Sequence, residues 1–516
     1  MIRTLTTFFL LGVAALSSAP AAVPPKLVLV ISVDQFRFDY LLRFRPEYSR
    51  GLDRLLTQGA VFSNAYLDHS PTVTAVGHAT ILTGATPAIS GIIGNSWYDR
   101  AAKEQVTSVS DKSVPLVGGS GGVGSSPHRL MVSTVADELK IATGERAKVI
   151  GISMKDRAAI LTTGHMADAA YWYDVKTGNF VSSGYYFEKL PDWARRFNEG
   201  DAAEKYAGKV WKPAGGEPFL TLGTPPDNKY FSDLRYTRYG NELVEAFAET
   251  AVTAEALGAD ATSDVLVVSF SSNDYVGHRW GPDSPQVHDV SLGVDEVLGR
   301  LFGFLDAKVG AKNYVVVLTA DHGVAPVPEI QRKRRMPGGR MAEDKIARAI
   351  EERLDTKYGE GRWVVGMSGP LPYLNHQLAI ERGISLEALR DTAADVVRNT
   401  PHVLRVYTYD ELAAGIPPRD YIDRRLLHGF HRERGADLFF ALDPYWVYVA
   451  HGASHGSPHQ YDAHVPVIFS GAGIRPGWYR NNIVVNDIAP TVAAILGVNV
   501  PSGSTGRVLE RALVED

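Results

Sequence analysis

The chain has 516 residues, no cysteine, and 53 Lys and Arg against 58 Asp and Glu, for a formal net charge of −5. The missing thiols exclude disulfides, Cys-ligated zinc, iron–sulfur clusters and a cysteine nucleophile. The mildly acidic balance argues against a general nucleic-acid binder. With 45% hydrophobic and 22% charged residues, the chain reads as a folded globular protein with room for one large domain and insertions.

Residues 1–21 read as a signal peptide. Arg3 supplies the positive start, 8–16 the apolar core, and Ala19-Pro20-Ala21 an A-x-A-like cleavage site. The core is too short for a transmembrane helix, which needs about 20 apolar residues. The expectation is therefore an exported chain, 22–516, periplasmic or secreted, without a stable membrane anchor. An uncleaved anchor is the alternative.

Next come apolar runs of strand length at 26–34 (KLVLVISVD), 148–153 (KVIGIS), 264–270 (DVLVVSF), 314–319 (YVVVLT) and 465–470 (VPVIFS). Such continuous runs suit strands buried on both faces. Helical spacing appears in Leu52, Leu55 and Leu56, and across 132–141 and 287–305. The alternation predicts an α/β fold: a mostly parallel central sheet flanked by helices. Two regions break the pattern, about 163–250 and about 324–450, and read as inserted lids or caps on the sheet. The Gly-rich 117–126 (VGGSGGVGSS) lacks the G-K-[ST] ending of a phosphate loop and reads as a flexible connection.

In parallel α/β sheets, ligands sit beyond the carboxyl ends of the strands. Asp34 follows the first run, Asp274 and His278 the 264–270 run, and Asp321 and His322 the 314–319 run; His455 precedes the last. Oxygen and nitrogen donors without thiolate suit zinc, and also manganese or iron. They exceed what one tetrahedral ion takes, so two ions are the natural reading. His451, His459 and His464 are ambiguous additions. Thr74 would stand at a helix N-terminus, where free N–H groups favour an anion; a plain helix cap is the alternative. Lys155 and Arg157 alone would read as a solvated loop after a strand.

Taken together, S-V-D-Q-F-R-F-D-Y, P-T-V-T-A-V-G-H, G-I-I-G-N-S-W-Y-D, S-M-K-D-R, S-S-N-D-Y-V-G-H-R-W-G, T-A-D-H-G and H-G-S-P-H-Q-Y-D resemble the alkaline phosphatase superfamily. More narrowly, the chain resembles its threonine-nucleophile bacterial alkaline phosphatases, close in fold to the type I phosphodiesterase/nucleotide pyrophosphatases. The resemblance implies that Asp34, Asp321 and His322 hold one Zn²⁺, which also contacts Thr74. It implies that Asp274, His278 and His455 hold a second. Thr74 becomes the nucleophile, forming a phosphothreonine intermediate. Asn95 becomes a donor to a phosphoryl oxygen, and Lys155 and Arg157 the pair that marks monoesterases. The implied function is hydrolysis of small phosphate monoesters, without binding of nucleic-acid duplexes. The alternatives are a phosphodiesterase or nucleotide pyrophosphatase, and a non-catalytic periplasmic phosphate- or metal-binding protein.

Overall fold

The computed structural model describes residues 24–514 apart from 214, 215 and 226. The signal peptide expected at 1–21 lies outside the described residues.

An 11-stranded mixed sheet forms the centre. Its strands are β1 (Leu27–Val33), β2 (Ala60–Tyr66), β3 (Ser110–Val117), β4 (Val123–Ser125), β5 (Val149–Ser153), β6 (Ala169–Tyr173), β7 (Phe180–Ser183), β8 (Asp264–Phe270), β9 (Tyr314–Thr319), β10 (Val467–Gly471) and β11 (Gly477–Val484). Their spatial order is β11-β2-β10-β9-β1-β8-β5-β6-β7-β3-β4. Strands β9, β1, β8, β5 and β6 are parallel neighbours. All residues of β1, β5, β8 and β9 are buried, which is why these strands read as unbroken apolar runs.

The apolar run at 465–470 does supply a strand, β10, but it runs antiparallel to both β9 and β2. An apolar run carries no direction, so chain reversal was invisible in it. The Gly-rich segment closes a hairpin between β3 and β4 at the sheet edge. Gly118, Gly121 and Gly122 take the positive φ angles the turn requires.

Helices α1 (Gly51–Gln58), α2 (Thr74–Thr83), α3 (Val135–Ala142), α4 (Asp156–Thr163), α5 (Arg238–Ala254), α6 (Ser272–Trp280) and α7 (Pro285–Leu305) flank the sheet. Within 163–250, residues of β6 and β7 continue the sheet. Their aromatic side chains pack onto α5: the Phe180 and Phe247 rings stack at 4.0 Å, and Tyr171 meets Phe247 edge-on at 5.2 Å. Within 324–450 the chain builds small two-stranded sheets, Val364–Ser368 with Leu371–Leu374 and Val403–Thr408 with Leu438–Leu442. Helices Glu343–Tyr358 and Leu386–Arg398 cover them. Ile350, Leu354, Trp363, Leu389 and Val397 give this region its own core. No helix among the described residues is long and apolar enough to cross a membrane.

Candidate active site

The sheet order decides which residues meet. The neighbouring parallel strands β9, β1, β8 and β5 end at one edge. There they deliver Asp321 and His322, Asp34, Asp274 and His278, and Lys155 and Arg157 respectively. Strand β2 runs the same way, and the segment after it leads to α2. Thr74 is the first residue of that helix and only 1% exposed. Val73 before it makes no side-chain cap, and of the first N–H groups that of Ala75 is taken by the Asn95 side chain.

The carboxylates of Asp34, Asp274 and Asp321 are buried together. Asp34, Asp321 and His322 can place one ligand atom each within 4.8 Å of one another, and so can Asp274, His322 and His455. His278 joins the second group: its Nε2 lies 3.2 Å from Asp274 Oδ1 and 3.2 Å from His455 Nε2. Asp34 Oδ1 and His322 Nε2 face each other at 3.5 Å, and neither has a hydrogen-bond partner among the described residues. Buried polar atoms without partners are costly. A cation among them removes that cost, so the donor set fits metal binding. The ammonium of Lys155 already sits where positive charge is wanted, 2.6 Å from both Asp34 Oδ2 and Asp274 Oδ2.

The buried groups also shift one another's protonation. Burial, reinforced by the charge of Asp321, raises Asp34 well above the carboxylate range. Burial also acts on Asp274, but Lys155 and His278 outweigh it and hold that group well below the range. Burial lowers Lys155 less than Asp274 and Asp34 raise it, so it stays charged. Burial pushes His322 and His455 down, keeping both imidazoles neutral, as metal ligation requires.

Lys155 Nζ also donates to Thr74 Oγ1 at 3.3 Å. Asn95 stands across the helix start; its Oδ1 accepts from the Ala75 N–H at 2.9 Å, leaving the amide nitrogen as the end able to donate. Arg157 opens α4, and its positive charge is felt by Lys155. The structure thus gathers Thr74, Asn95, Lys155, Arg157, Asp34, Asp274, His278, Asp321, His322 and His455 around one edge.

The other histidines do something else. His459 meets the Leu442 carbonyl, and His464 meets that of Ser63 while stacking on Phe38 and Tyr66. His451 is exposed. His78 lies one turn after Thr74 and braces Asp321, with Nδ1 3.2 Å from Oδ2.

Two residues escaped the sequence reading. Gln35 takes a left-handed φ of 61°, and its backbone N–H reaches Asp321 Oδ1 at 3.1 Å while its Nε2 reaches Asp274 Oδ1 at 2.6 Å. It thereby ties the two carboxylates together. Gly77 lets α2 lie directly on the Asp321 backbone, as a Cβ there would come within 2.1 Å of the Asp321 carbonyl oxygen. A glutamine after a ligand and a glycine in a helix carry little signal of their own.

Residues 28–464 match the family model for type I phosphodiesterase / nucleotide pyrophosphatase, and the chain belongs to that family. Within it, the chain sides with bacterial alkaline phosphatases. PhoV of Synechococcus elongatus, an alkaline phosphatase, is 37% identical over 94% of this chain and 92% of its own length. PafA of Elizabethkingia meningoseptica, another, is 34% identical over 98% of each chain. The crystal structure of wild-type PafA superposes with a TM-score of 0.90 at 33% identity, covering 96% of this chain and 100% of the other. A murine ectonucleotide pyrophosphatase/phosphodiesterase shares the fold at 16% identity, with a TM-score of 0.54 over 92% of this chain and 95% of its own.

Proposed function

We propose that this protein is an exported, zinc-dependent alkaline phosphatase that cleaves phosphate monoesters through a phosphothreonine at Thr74. The monoesterase class follows from its near full-length kinship with alkaline phosphatases. One observation carries the mechanism: Lys155 Nζ lies 3.3 Å from Thr74 Oγ1, directly over the carboxylates of Asp34 and Asp274.

Asp34, Asp321 and His322 would hold one ion, and Asp274, His278 and His455 a second. The O and N donor set without sulfur suits Zn²⁺. When bound, such ions would supply Lewis-acid stabilisation of the negative charge that develops in the reaction. Thr74 Oγ1 attacks phosphorus, the alcohol leaves, and water then cleaves the phosphothreonine. Thr74 is held for this by the rigid start of α2, which limits its freedom before attack. Asn95 donates to one phosphoryl oxygen, while Lys155 and Arg157 offer two positive charges to the remaining ones. A monoester dianion uses both cations. A diester places a second organic group against them, which is the reason for favouring monoesters.

The test compares p-nitrophenyl phosphate with bis-p-nitrophenyl phosphate on the zinc-loaded protein at alkaline pH. A strong preference for the monoester is expected; a preference for the diester sinks the reading.

A further inference from the structure

Beside the site lies a cavity of about 360 Å³, within the size range of small-molecule pockets. Val73, Asn95 and His455 line one end. Val73 precedes the nucleophile, Asn95 holds the first turn of α2, and His455 belongs to the Asp274 cluster. Leu371, Phe439, Val447 and Val449, contributed by the 324–450 region, line it as well, alongside the polar residues Ser96, Ser368, Ser454 and Tyr461. Leu371 and Val449 are apolar yet only half-buried, as expected of residues that face a cleft.

The charge of the lining narrows the ligand. No lysine or arginine is among the described residues that line the cavity. A second phosphate on the substrate would find no lysine or arginine to pair with there. Asp462, its one carboxylate, is turned to the backbone N–H and hydroxyl of Ser457. Leu426, Phe440 and Leu442 add further apolar surface, and an apolar group needs no hydrogen bond of its own when it leaves water.

We infer that this cavity receives the organic group of the substrate, so that the enzyme binds monoesters of apolar, aryl-sized alcohols and phenols more tightly than those of small polar ones. The inference rests on the monoesterase reading. With the phosphoryl group between Thr74, Asn95 and Lys155, the ester's organic group passes Asn95 and His455 into the cleft. The 324–450 region then acts as a specificity wall beside the phosphoryl site.

Inhibition by phosphonates tests this without the chemical step, because their C–P bond replaces the ester bond. On the zinc-loaded enzyme turning over p-nitrophenyl phosphate, competitive inhibition by inorganic phosphate, methylphosphonate and benzylphosphonate is measured. Benzylphosphonate is expected to bind about tenfold or more tightly than methylphosphonate, from burial of the ring. Leu371→Trp and, independently, Val449→Trp fill the cavity; each should erase that advantage while leaving inhibition by inorganic phosphate unchanged. Equal binding of the two phosphonates in the wild type overturns the inference, as does an advantage that survives both substitutions. Failure of the zinc-loaded enzyme to turn over p-nitrophenyl phosphate at all overturns the monoesterase reading, and the cavity's role with it.

Discussion

Replacing Gly77 with alanine tests how the nucleophile helix is seated. In an exposed helix this change is favourable, by about 1 kcal/mol, because alanine loses less backbone freedom. Here the new Cβ would lie 2.1 Å from the Asp321 carbonyl oxygen and 2.7 Å from its carbonyl carbon and Cα, where ordinary contact begins at 3.4 Å. All three are backbone atoms, so no side chain can turn aside. Helix α2 and the Asp321 segment must part by about 1 Å, a displacement that can cost a catalytic site about 100-fold. Overpacking of this kind also costs about 1–3 kcal/mol, enough to outweigh the propensity gain. Gly303 is the control: it lies in α7, and beyond its own helix backbone none of the described residues comes within 4 Å of its would-be Cβ. Thermal unfolding and p-nitrophenyl phosphate turnover of both variants give the readout. Gly77→Ala should lower the midpoint and cut kcat/KM about 100-fold, while Gly303→Ala should hold or raise stability and leave activity intact. A Gly77→Ala protein as stable and active as the control would refute the close packing of α2 on Asp321.

Four further outcomes follow from the same geometry. Thr74→Ala should abolish turnover and incorporation of phosphate into the protein; phosphate release that persists in this variant rules out the covalent route. Lys155→Ala should lower monoester kcat/KM about 10²–10³-fold, the range for losing one charge-stabilising donor, with a smaller effect on the diester; equal losses contradict its role in selecting dianions. Chelation of the zinc-loaded protein should lower its melting temperature as well as its activity, since an ion bound only by the folded state stabilises it; an unchanged midpoint speaks against metal held by the buried carboxylates. Asp462, pushed up to about 7 by burial, keeps its proton when folded over a range where the unfolded chain has lost it. Stability of the chelated protein should therefore fall as pH rises from the ordinary carboxylate range to about 7, then level off. Asp462→Asn should remove a part of that slope worth at most a few kcal/mol, and identical slopes in the two proteins show that Asp462 is not the group responsible.

The sequence by itself determined the α/β class and most of the chemistry. Continuous apolar runs such as 264–270 suit strands buried on both faces, and acids placed just after parallel strands lie at the sheet's carboxyl edge. That is why Asp34, Asp274 and Asp321 were legible as a group, and the motifs they sit in carried the resemblance to alkaline phosphatases. The direction of β10 was decided only by tertiary pairing, because hydrophobicity has no polarity along the chain. So was the continuation of the sheet into β6 and β7, whose aromatic residues hide the strand pattern until they meet Phe247 on α5. The same holds for the site's fine structure. Gln35 links two carboxylates 239 and 286 positions away, and Gly77 matters for the backbone it lies upon. Roles of this kind arise from what comes into contact, and residues far apart in the chain record it only when folded. The cavity beside Asn95 and His455 belongs here too: its Leu371, Phe439, Val447 and Val449 come from a region whose sequence pattern read only as an inserted lid or cap.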